Sequence, residues 1–327
     1  MIKVGLIGCG FMGAMHVNCY KNIEGVEIVA LADLRREKAE ELKVNTNAVI
    51  YGDGKDLIDN ADVDVIDICL PTYLHAKYAM LAMEKVKYVF VEKPVTLTLE
   101  EGKMLIEKSK QTGAQVQVGQ VIRFWDEYVE LKKIIESNKY GKVINANFRR
   151  ISPRPLWGWN NWLLDTSLSG GAGQDLHIHD VDFVLSLFKE PKKFYSVKSN
   201  GGENNSYVNT LMVYDDFVVG VEGTWDLPSS HPFEATFRVV FENAVVENVG
   251  GKFLLYDNNG VSEIRIDKKE LVGEAYKGGN VSDLGGYYNE LVYFTNKAKA
   301  GEKIEKATLN DGVSSLEFLL KELNYKG

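Results

Sequence analysis

The chain has 327 residues, of which 45% are hydrophobic and 26% charged, so it has the composition of a globular protein and enough length for two cores. Its 38 basic and 46 acidic residues give a formal charge of −8, which provides no general attraction to nucleic acid or to an anionic membrane. No apolar run approaches the roughly 18 residues of a membrane span, and the first predicted strand starts at the second residue. We therefore expect a cytoplasmic protein without a signal peptide, a membrane partner or a nucleic-acid partner.

A glycine-rich turn follows the first predicted strand. Lys3–Ile7 is a mostly apolar run typical of a strand buried on both faces. It leads into Gly8-Cys9-Gly10-Phe11-Met12-Gly13, which has the G-x-G-x-x-G spacing of dinucleotide-binding folds. In such folds the glycines permit a tight turn, the approach of a pyrophosphate and close packing of the helix on the strand, while free N–H groups at the helix start hold the phosphates. The alternative is a tight turn that binds nothing.

A second predicted strand, Val26–Ala32, ends at an acidic residue, Asp33. A carboxylate at this place accepts a hydrogen bond from the adenosine ribose 2′-hydroxyl of NAD and repels the 2′-phosphate of NADP. Arg35 and Arg36 follow Asp33, however, and an arginine there can accommodate a 2′-phosphate. We predict NAD as the cofactor and keep NADP as the alternative.

Strands and helices continue to alternate as far as Gly119, which predicts a doubly wound parallel sheet, a Rossmann domain over residues 1–121. The predicted elements are helix Arg35–Lys43, strand Val63–Leu70, a helix capped by Thr72 and running to Glu84, strand Lys87–Val91, helix Leu99–Thr112 and strand Gln115–Gly119. Ligands of such sheets bind beyond the carboxyl ends of the strands. The predicted cofactor contacts are therefore Gly8, Gly10, Phe11, Met12, Gly13, Asp33, Leu70, Pro71, Thr72, His75, Glu92 and Lys93.

The pattern changes at about residue 122, where we predict a second domain over residues 122–327. Lys142–Ser152 and several runs between Phe194 and Ile266 alternate apolar and polar residues, which indicates half-exposed strands of an open, mainly antiparallel sheet. The fold class is thus α/β, with a Rossmann domain and a C-terminal α/β domain. The helices predicted in the second domain are Asp126–Ser137, Gln174–Phe188, Leu284–Ala300 and Asn310–Leu323.

Three further side chains are candidates for contacts with a substrate. Lys93 stands at a strand end, where a lysine in a cleft can hydrogen-bond a hydroxyl and, if partly buried, acquire a lowered pKa; the alternative is an ordinary surface lysine. Arg123 is a candidate for a cleft contact or a solvated loop residue. Trp162 belongs to an aromatic loop with Trp157 and Trp159 that would suit either a sugar platform or core packing.

The stretch from Gly170 to Asp182 opens a predicted helix. On a helix, Asp175, His179 and Asp182 are spaced i, i+4, i+7 and share a face. An aspartate beside a histidine can fix its tautomer and raise its basicity, as a general base requires. The alternative is a histidine that simply belongs to the core.

The sequence gives no support for a metal site. His177 and His179 stand at i and i+2 and point apart on a helix, and no further histidine or cysteine has ligand spacing. The cysteines Cys9, Cys19 and Cys69 are interpreted as reduced thiols without a chemical role.

Together these residues resemble the Gfo/Idh/MocA oxidoreductase family. The resemblance runs over nearly the whole chain and rests on the glycine-rich turn, Asp33, Glu92-Lys93-Pro94, Gly170-Gly171 and the Asp175-x-x-x-His179 pair. It implies a Rossmann domain, followed by an α/β domain whose open sheet commonly forms a dimer or tetramer interface. It also implies oxidation or reduction of sugars, polyols and related alcohols with NAD(P).

The resemblance assigns the catalytic group to Lys93, Asp175 and His179. Arg123 and Trp162 remain further candidates for substrate contacts. His177, where many members carry a small residue, is a candidate for a substrate contact. We therefore predict an oxidoreductase that transfers a hydride between a nicotinamide cofactor and a CH–OH group of a sugar, polyol or inositol, as a homodimer or homotetramer. The alternatives are an NAD-dependent glycosidase that oxidises its sugar transiently and a non-catalytic dinucleotide sensor.

Overall fold

A computed structural model describes residues 1–44, 46–199, 207–266, 271 and 284–326. These residues form two compact units. Unit 1 comprises the described residues of 1–121, 157–162 and 270–316, and unit 2 comprises those of 122–156, 163–269 and 317–327. None of the described helices is both long and apolar enough to cross a membrane.

Unit 1 contains a six-stranded parallel sheet with helices between its strands. The strands are β1 Ile2–Ile7, β2 Val26–Ala32, β3 Val49–Tyr51, β4 Val65–Ile68, β5 Tyr88–Glu92 and β6 Gln115–Gly119. The helices, numbered along the whole chain, are α1 Phe11–Tyr20, α2 Arg36–Lys43, α3 Gly54–Asn60, α4 His75–Lys85, α5 Leu99–Thr112 and α9 Gly285–Ala300. The strand order is β3-β2-β1-β4-β5-β6, which is the order of a Rossmann sheet and confirms the predicted fold class of this half.

One local expectation in unit 1 needs correction, and two elements were not predicted. Thr72 does not cap α4: it lies in a 3₁₀ turn, Thr72–Leu74, that has no side-chain cap, and α4 begins at His75. Residues 49–60 received no sequence prediction, whereas the structure has β3 and α3 there. A three-residue edge strand contains too few positions to show a period of two.

Unit 2 contains an eight-stranded sheet. Its strands are β7 Val143–Pro153, β8 Lys193–Ser199, β9 Tyr207–Val213, β10 Val218–Leu227, β11 Glu234–Phe241, β12 Ala244–Val249, β13 Lys252–Asp257 and β14 Gly260–Glu263. Its helices are α6 Asp126–Ser137, α7 Thr166–Ser169 and α8 Ile178–Phe188, while α10 Leu309–Leu323 begins in unit 1 and ends in unit 2. The order is β14-β13-β12-β11-β7-β10-β9-β8, and β7–β10 is the only parallel pair among the described strands of this sheet. This confirms the predicted, mainly antiparallel sheet, although residues 200–206 of the predicted strand region lie outside the described residues.

One face of the second sheet packs against α6 and α8 through aromatic side chains. The Tyr128 ring of α6 meets Phe183 of α8 edge-on at 4.9 Å between centroids and Phe237 of β11 at 5.1 Å. Phe148 of β7 lies 5.8 Å from Phe183. The alternation of apolar and polar residues along these strands follows from this one-sided burial, since every second side chain faces the helices.

The aromatic segment Trp157–Trp162 and the helix α9 differ from the predicted division of the chain. Both were assigned to the second domain, yet their contacts place them in unit 1. Trp157 packs on Phe11, with ring centroids 4.9 Å apart, and Phe294 of α9 packs edge-on against Phe90 of β5 at 5.5 Å. Long-range packing of this kind leaves no local sequence signal, so a division by pattern alone misses it.

Candidate active site

The glycine-rich turn has the close packing that its spacing predicts. Gly8 has a φ of +99°, and a Cβ on it would lie 2.5 Å from the Cys69 carbonyl oxygen. A Cβ on Gly13 would lie 2.0 Å from the Gly8 carbonyl oxygen. Helix α1 can therefore follow β1 this closely only with glycine at both positions.

The start of α1 fits the pyrophosphate of a dinucleotide. Gly10 is the N-cap, no side chain caps the first N–H groups, and the first turn has no acidic residue. A Cβ on Gly10 would meet only the Arg35 guanidinium, at 3.8 Å, among the residues that the structure describes. Uncapped N–H groups and the helix dipole together favour a bound anion. Gly8, Gly10 and Gly13 would thus hold the NAD pyrophosphate.

Asp33 lies beside this turn at the carboxyl end of β2. Its Oδ2 accepts a hydrogen bond from the Cys9 backbone N–H at 2.8 Å, and its Oδ1 accepts one from the Arg35 backbone N–H at 2.8 Å. The Arg35 Nε also lies 3.3 Å from Oδ1. The carboxylate is therefore fixed where a dinucleotide fold places the adenosine ribose, and its contact with that ribose stays a prediction.

The imidazole of His75 lies between the backbone segments that follow β4 and β5. Its Nδ1 lies 2.8 Å from the Pro94 carbonyl oxygen, and its Nε2 lies 2.7 Å from the Leu70 carbonyl oxygen. Burial lowers the pKa of His75, against the opposing effect of these two carbonyl groups. A neutral imidazole has one N–H, so His75 donates a hydrogen bond to one of these two carbonyl groups. A direct contact of His75 with the cofactor stays a prediction.

Lys93 is half-buried just beyond the carboxyl end of β5. Its backbone N–H donates a hydrogen bond to the Glu92 carboxylate at 3.1 Å, and the carbonyl oxygen of the next residue, Pro94, lies 2.8 Å from the His75 Nδ1. The backbone on each side of Lys93 is therefore fixed, which is the support that a positioned side chain needs.

A buried polar network lies behind these strand ends, and the sequence analysis missed it. The His16 Nδ1 of α1 lies 2.8 Å from the Asp67 carboxylate of β4, to which the Tyr20 hydroxyl also donates at 2.9 Å. Burial alone lowers the pKa of His16, but the Asp67 carboxylate and the Cys69 thiol raise it well above its ordinary value. The visible signal was Asp67 itself, an acidic residue within an otherwise apolar strand.

The same network extends to Glu92 and to α9. The His16 Nε2 lies 3.1 Å from the Glu92 Oε1, so the imidazole ring lies between two carboxyl groups. Burial and the nearby Glu92 carboxylate raise the pKa of Glu290 on α9 well above its ordinary value. Two groups of described residues have donor atoms within 4.8 Å of one another, His16–Asp67–Cys69 and His16–Glu92–Glu290. The predicted absence of a metal was inferred from sequence spacing and stays a prediction.

Asp175 and His179 lie at the start of the main helical stretch of unit 2. Gly173–His177 forms a π-helical turn, and α8 follows from Ile178. The predicted i, i+4 relation of a regular α-helix is therefore altered, because a π turn changes the angular position of Asp175 relative to His179. Asp175 is half-buried and His179 is buried. Their catalytic roles stay predictions.

His177 is a core residue of unit 2. It is 1% exposed, a Cβ on Gly223 of β10 would lie 2.7 Å from its Nδ1, and its Nε2 lies 3.7 Å from the Glu322 carboxylate of α10. Burial lowers the pKa of His177 to about 3 and raises that of Glu322 to about 8, so both are neutral at pH 7. This burial argues against the substrate contact that the sequence suggested for His177.

Two arginines of unit 2 form ion pairs with acidic residues of α8. The Nε and Nη2 of Arg123 donate to the Asp182 carboxylate at 2.6 and 2.7 Å. The Nε and Nη2 of Arg150 donate to the Asp180 carboxylate at 2.8 and 3.2 Å. Bidentate pairs of this kind fix the guanidinium plane. Arg123 is thus held at α8, whereas the predicted substrate contacts of Arg123 and of the half-buried Trp162 of unit 1 stay predictions.

The Rossmann sheet, the glycine-rich turn and the adjacent aspartate define an NAD-binding protein. Residues 2–120 match the family model described as "Oxidoreductase family, NAD-binding Rossmann fold", and residues 128–247 match the "GFO/IDH/MocA C-terminal domain". The chain belongs to the Gfo/Idh/MocA oxidoreductase family.

Several relatives are similar to this chain over part of its length. Inositol 2-dehydrogenase of Salmonella typhimurium is 31% identical over 64% of this chain and 61% of its own length. The scyllo-inositol 2-dehydrogenase (NAD(+)) of Bacillus subtilis is 28% identical over 72% of this chain and 70% of its own length. The chain thus spans about 61% of the Salmonella relative that it matches.

A solved structure has the same fold over nearly the full length of both chains. It is an oxidoreductase from Agrobacterium radiobacter in complex with NAD⁺, L-tartaric acid and magnesium, with a TM-score of 0.85. It is 16% identical to this chain, of which it covers 99%, and the match covers 96% of the Agrobacterium chain. At this identity the likeness shows the fold alone.

Proposed function

We propose that the protein is an NAD-dependent dehydrogenase that transfers a hydride between the cofactor and a CH–OH group of a sugar, polyol or inositol. The observation that carries this proposal is the presence of Lys93, Asp175 and His179 together at the motif positions of the family. The names of the two relatives, an inositol 2-dehydrogenase and a scyllo-inositol 2-dehydrogenase, support a cyclic polyol or a related sugar as the substrate class.

Each catalytic residue has one role in this proposal. Bound NAD supplies the acceptor for the hydride that leaves the substrate carbon. His179 accepts the proton of the hydroxyl group on that carbon, and Asp175 orients the imidazole and stabilises its charged form. Lys93 donates a hydrogen bond to the same oxygen, and so polarises it as negative charge develops. In the reverse direction His179 returns the proton.

A homodimer or homotetramer, assembled through the open face of the second sheet, is part of the same proposal. Tyr195 and Val197 of β8 and Leu211 of β9 lie on this face and are 52%, 69% and 43% exposed. Tyr195 and Leu211 are cross-strand partners, so the apolar surface is continuous there. Exposed apolar surface of this kind favours a protein partner, and sedimentation velocity of the purified protein measures the assembly.

The decisive experiment is a substrate panel scored for NADH formation. Inositols, aldoses, uronates and sugar phosphates are each incubated with NAD and the purified protein. We expect NADH with at least one polyol or sugar and a fall in kcat of about 10²-fold or more in His179→Asn, with NAD binding retained. The control is His231→Asn, a histidine in the turn after β10, which should leave kcat unchanged.

Other outcomes would select the alternatives. Cleavage of a glycoside without net change of NAD would indicate the glycosidase, and NAD binding without either reaction would indicate a sensor. Equal turnover in His179→Asn and wild type would return His179 to the role of a core residue.

A further inference from the structure

Two tryptophans of the segment Trp157–Trp162 pack on the dinucleotide-binding part of unit 1. Trp157 lies against Phe11, the residue that follows Gly10 in the glycine-rich turn, with ring centroids 4.9 Å apart. Trp159 lies against Arg35, whose guanidinium carbon is 5.1 Å from the ring centroid. One ring thus lies at the glycine-rich turn after β1, and the other lies after β2, beside Asp33.

Arg35 is held from two sides. Its Nε and Nη2 lie 3.3 and 3.4 Å from the Asp33 carboxylate, and the ring of Trp159 lies on its guanidinium. A planar guanidinium binds an aromatic face by cation–π attraction and can stack a second flat ring on its other face. Arg35 therefore presents a flat cationic surface next to the carboxylate predicted to bind the adenosine ribose.

The segment Trp157–Trp162 has an irregular backbone and keeps both tryptophan rings partly exposed. Asn160 and Asn161 both adopt left-handed conformations, with φ of +51° and +54°, a region that asparagine enters more readily than most residues. The segment belongs to unit 1, although the residues on either side of it in the chain belong to unit 2. Trp157 and Trp159 nevertheless remain 41% and 43% exposed, so core packing leaves a large part of both rings uncovered.

We propose that Trp157 and Trp159 position the residues that bind the adenosine and pyrophosphate parts of NAD. Trp159 packs on one face of the Arg35 guanidinium and fixes it, and the other face stacks on the adenine ring. Asp33 remains the partner of the ribose hydroxyls. Trp157 supports Phe11 and so the turn that holds the pyrophosphate. This inference rests on the NAD-binding fold and is independent of the substrate, so it can fail while the proposed dehydrogenase activity stands.

The test measures binding of cofactor fragments by calorimetry without any substrate. In Trp159→Ala we expect the Kd of NAD and of ADP-ribose to rise about 5- to 20-fold, the usual worth of a cation–π contact with its stacked partner, and the Kd of nicotinamide mononucleotide to stay constant. Trp159→Phe keeps an aromatic face and should stay within about threefold of wild type. Leu156→Ala, an exposed apolar residue next to the segment, is the matched control and should change none of these values.

A double-mutant cycle tests whether Trp159 acts through Arg35. Arg35→Ala should raise the Kd of ADP-ribose to a similar extent, and adding Trp159→Ala to it should raise that Kd little further. An ADP-ribose Kd within twofold of wild type in Trp159→Ala would overturn the proposal, as would equal weakening of ADP-ribose and of nicotinamide mononucleotide.

A second readout covers the case in which Trp159→Ala melts at a lower temperature. Adenine stacked on the opposite face of the Arg35 guanidinium lies close to Trp159 and should quench tryptophan emission when ADP-ribose binds. Trp159→Phe should lose more of this quench than Trp125→Phe, which removes a tryptophan of unit 2. An equal loss in both variants would contradict a position of Trp159 behind the guanidinium that stacks on adenine.

Discussion

Individual side chains at the cofactor site have separable roles, and Asp33 is the clearest case. Its carboxylate accepts hydrogen bonds from the Cys9 and Arg35 backbone N–H groups and is the predicted acceptor of the ribose 2′-hydroxyl. Asp33→Ser removes this acceptor and the negative charge that repels a 2′-phosphate, while Arg35 keeps its positive charge. We expect the preference for NAD over NADP to fall by about tenfold or more. The measurement is kcat/KM with each coenzyme, and Asp62→Ser, at an exposed acid, should leave the ratio unchanged.

Lys93 offers a second test at the scale of the residue. Lys93→Met keeps the length and the apolar stem but removes the ammonium group, so the hydrogen bond to the developing oxyanion is lost. We expect kcat to fall by about 10²-fold or more while NAD still binds. Steady-state kinetics, NAD titration and thermal melting are measured on this variant and on Lys103→Met, a matched exposed lysine of α5. Turnover within about threefold of wild type in a folded Lys93→Met would rule out the catalytic role.

At the scale of the element, the sequence predicted most strands and helices and several of their ends. The Rossmann alternation is strong because each buried strand is apolar and each helix begins with a recognisable signal, such as the capping box of Thr98 and Glu101 on α5. The π-helical turn before α8 was not predictable, since nothing in the local sequence distinguishes it from an α-helix start. The network of His16, Asp67 and Glu290 was missed for a different reason: its members lie on three elements that are distant in sequence.

The contact between the π-helical turn and α10 makes unit 2 sensitive to pH. The carboxyl group of Glu322 faces His177 and lies near Thr210 and Tyr214. Its folded pKa of about 8 exceeds the ordinary 4.5, so between these values the folded protein holds a proton that the unfolded chain has released. The contribution of Glu322 to the free energy of unfolding is therefore fully present below about pH 4.5. It is lost as the pH rises toward 8, by at most about 1.4 kcal/mol per pKa unit.

Glu322→Gln cannot release a proton and should remove this dependence. We expect its melting temperature to fall less than that of wild type between about pH 5 and pH 8, measured by calorimetry in matched buffers. His177 has the opposite effect on stability. Its pKa of about 3 in the folded protein lies below the ordinary 6.5, so the free energy of unfolding falls as the pH drops below 6.5. Parallel pH curves for Glu322→Gln and wild type would show that Glu322 titrates normally.

At the scale of the whole molecule, the first unit is discontinuous in sequence. Besides the Phe90–Phe294 contact, the Gln117 amide donates a hydrogen bond to the Glu290 backbone carbonyl at 3.3 Å, and the Val118 N–H donates one to the Ala307 carbonyl at 2.8 Å. A fragment of residues 1–121 lacks α9 and the chain around Ala307, and therefore exposes the apolar surface that they cover. We expect it to melt without a cooperative transition and to bind NAD far more weakly than the full chain. A sharp melt with native affinity would contradict this.

This discontinuity has a consequence for synthesis on the ribosome. Domains made first are usually the first to fold, but α9 and the start of α10, which belong to the same unit as the six strands, leave the ribosome only when synthesis reaches the residues near 316. At the usual rate of translation, about 10–40 s separate the synthesis of β6 from that of its last partner. During this interval the edge of β6 and the Phe90 side of the sheet stay open to other chains, so the nascent protein is expected to depend on a chaperone and to misfold when translation stalls after residue 121.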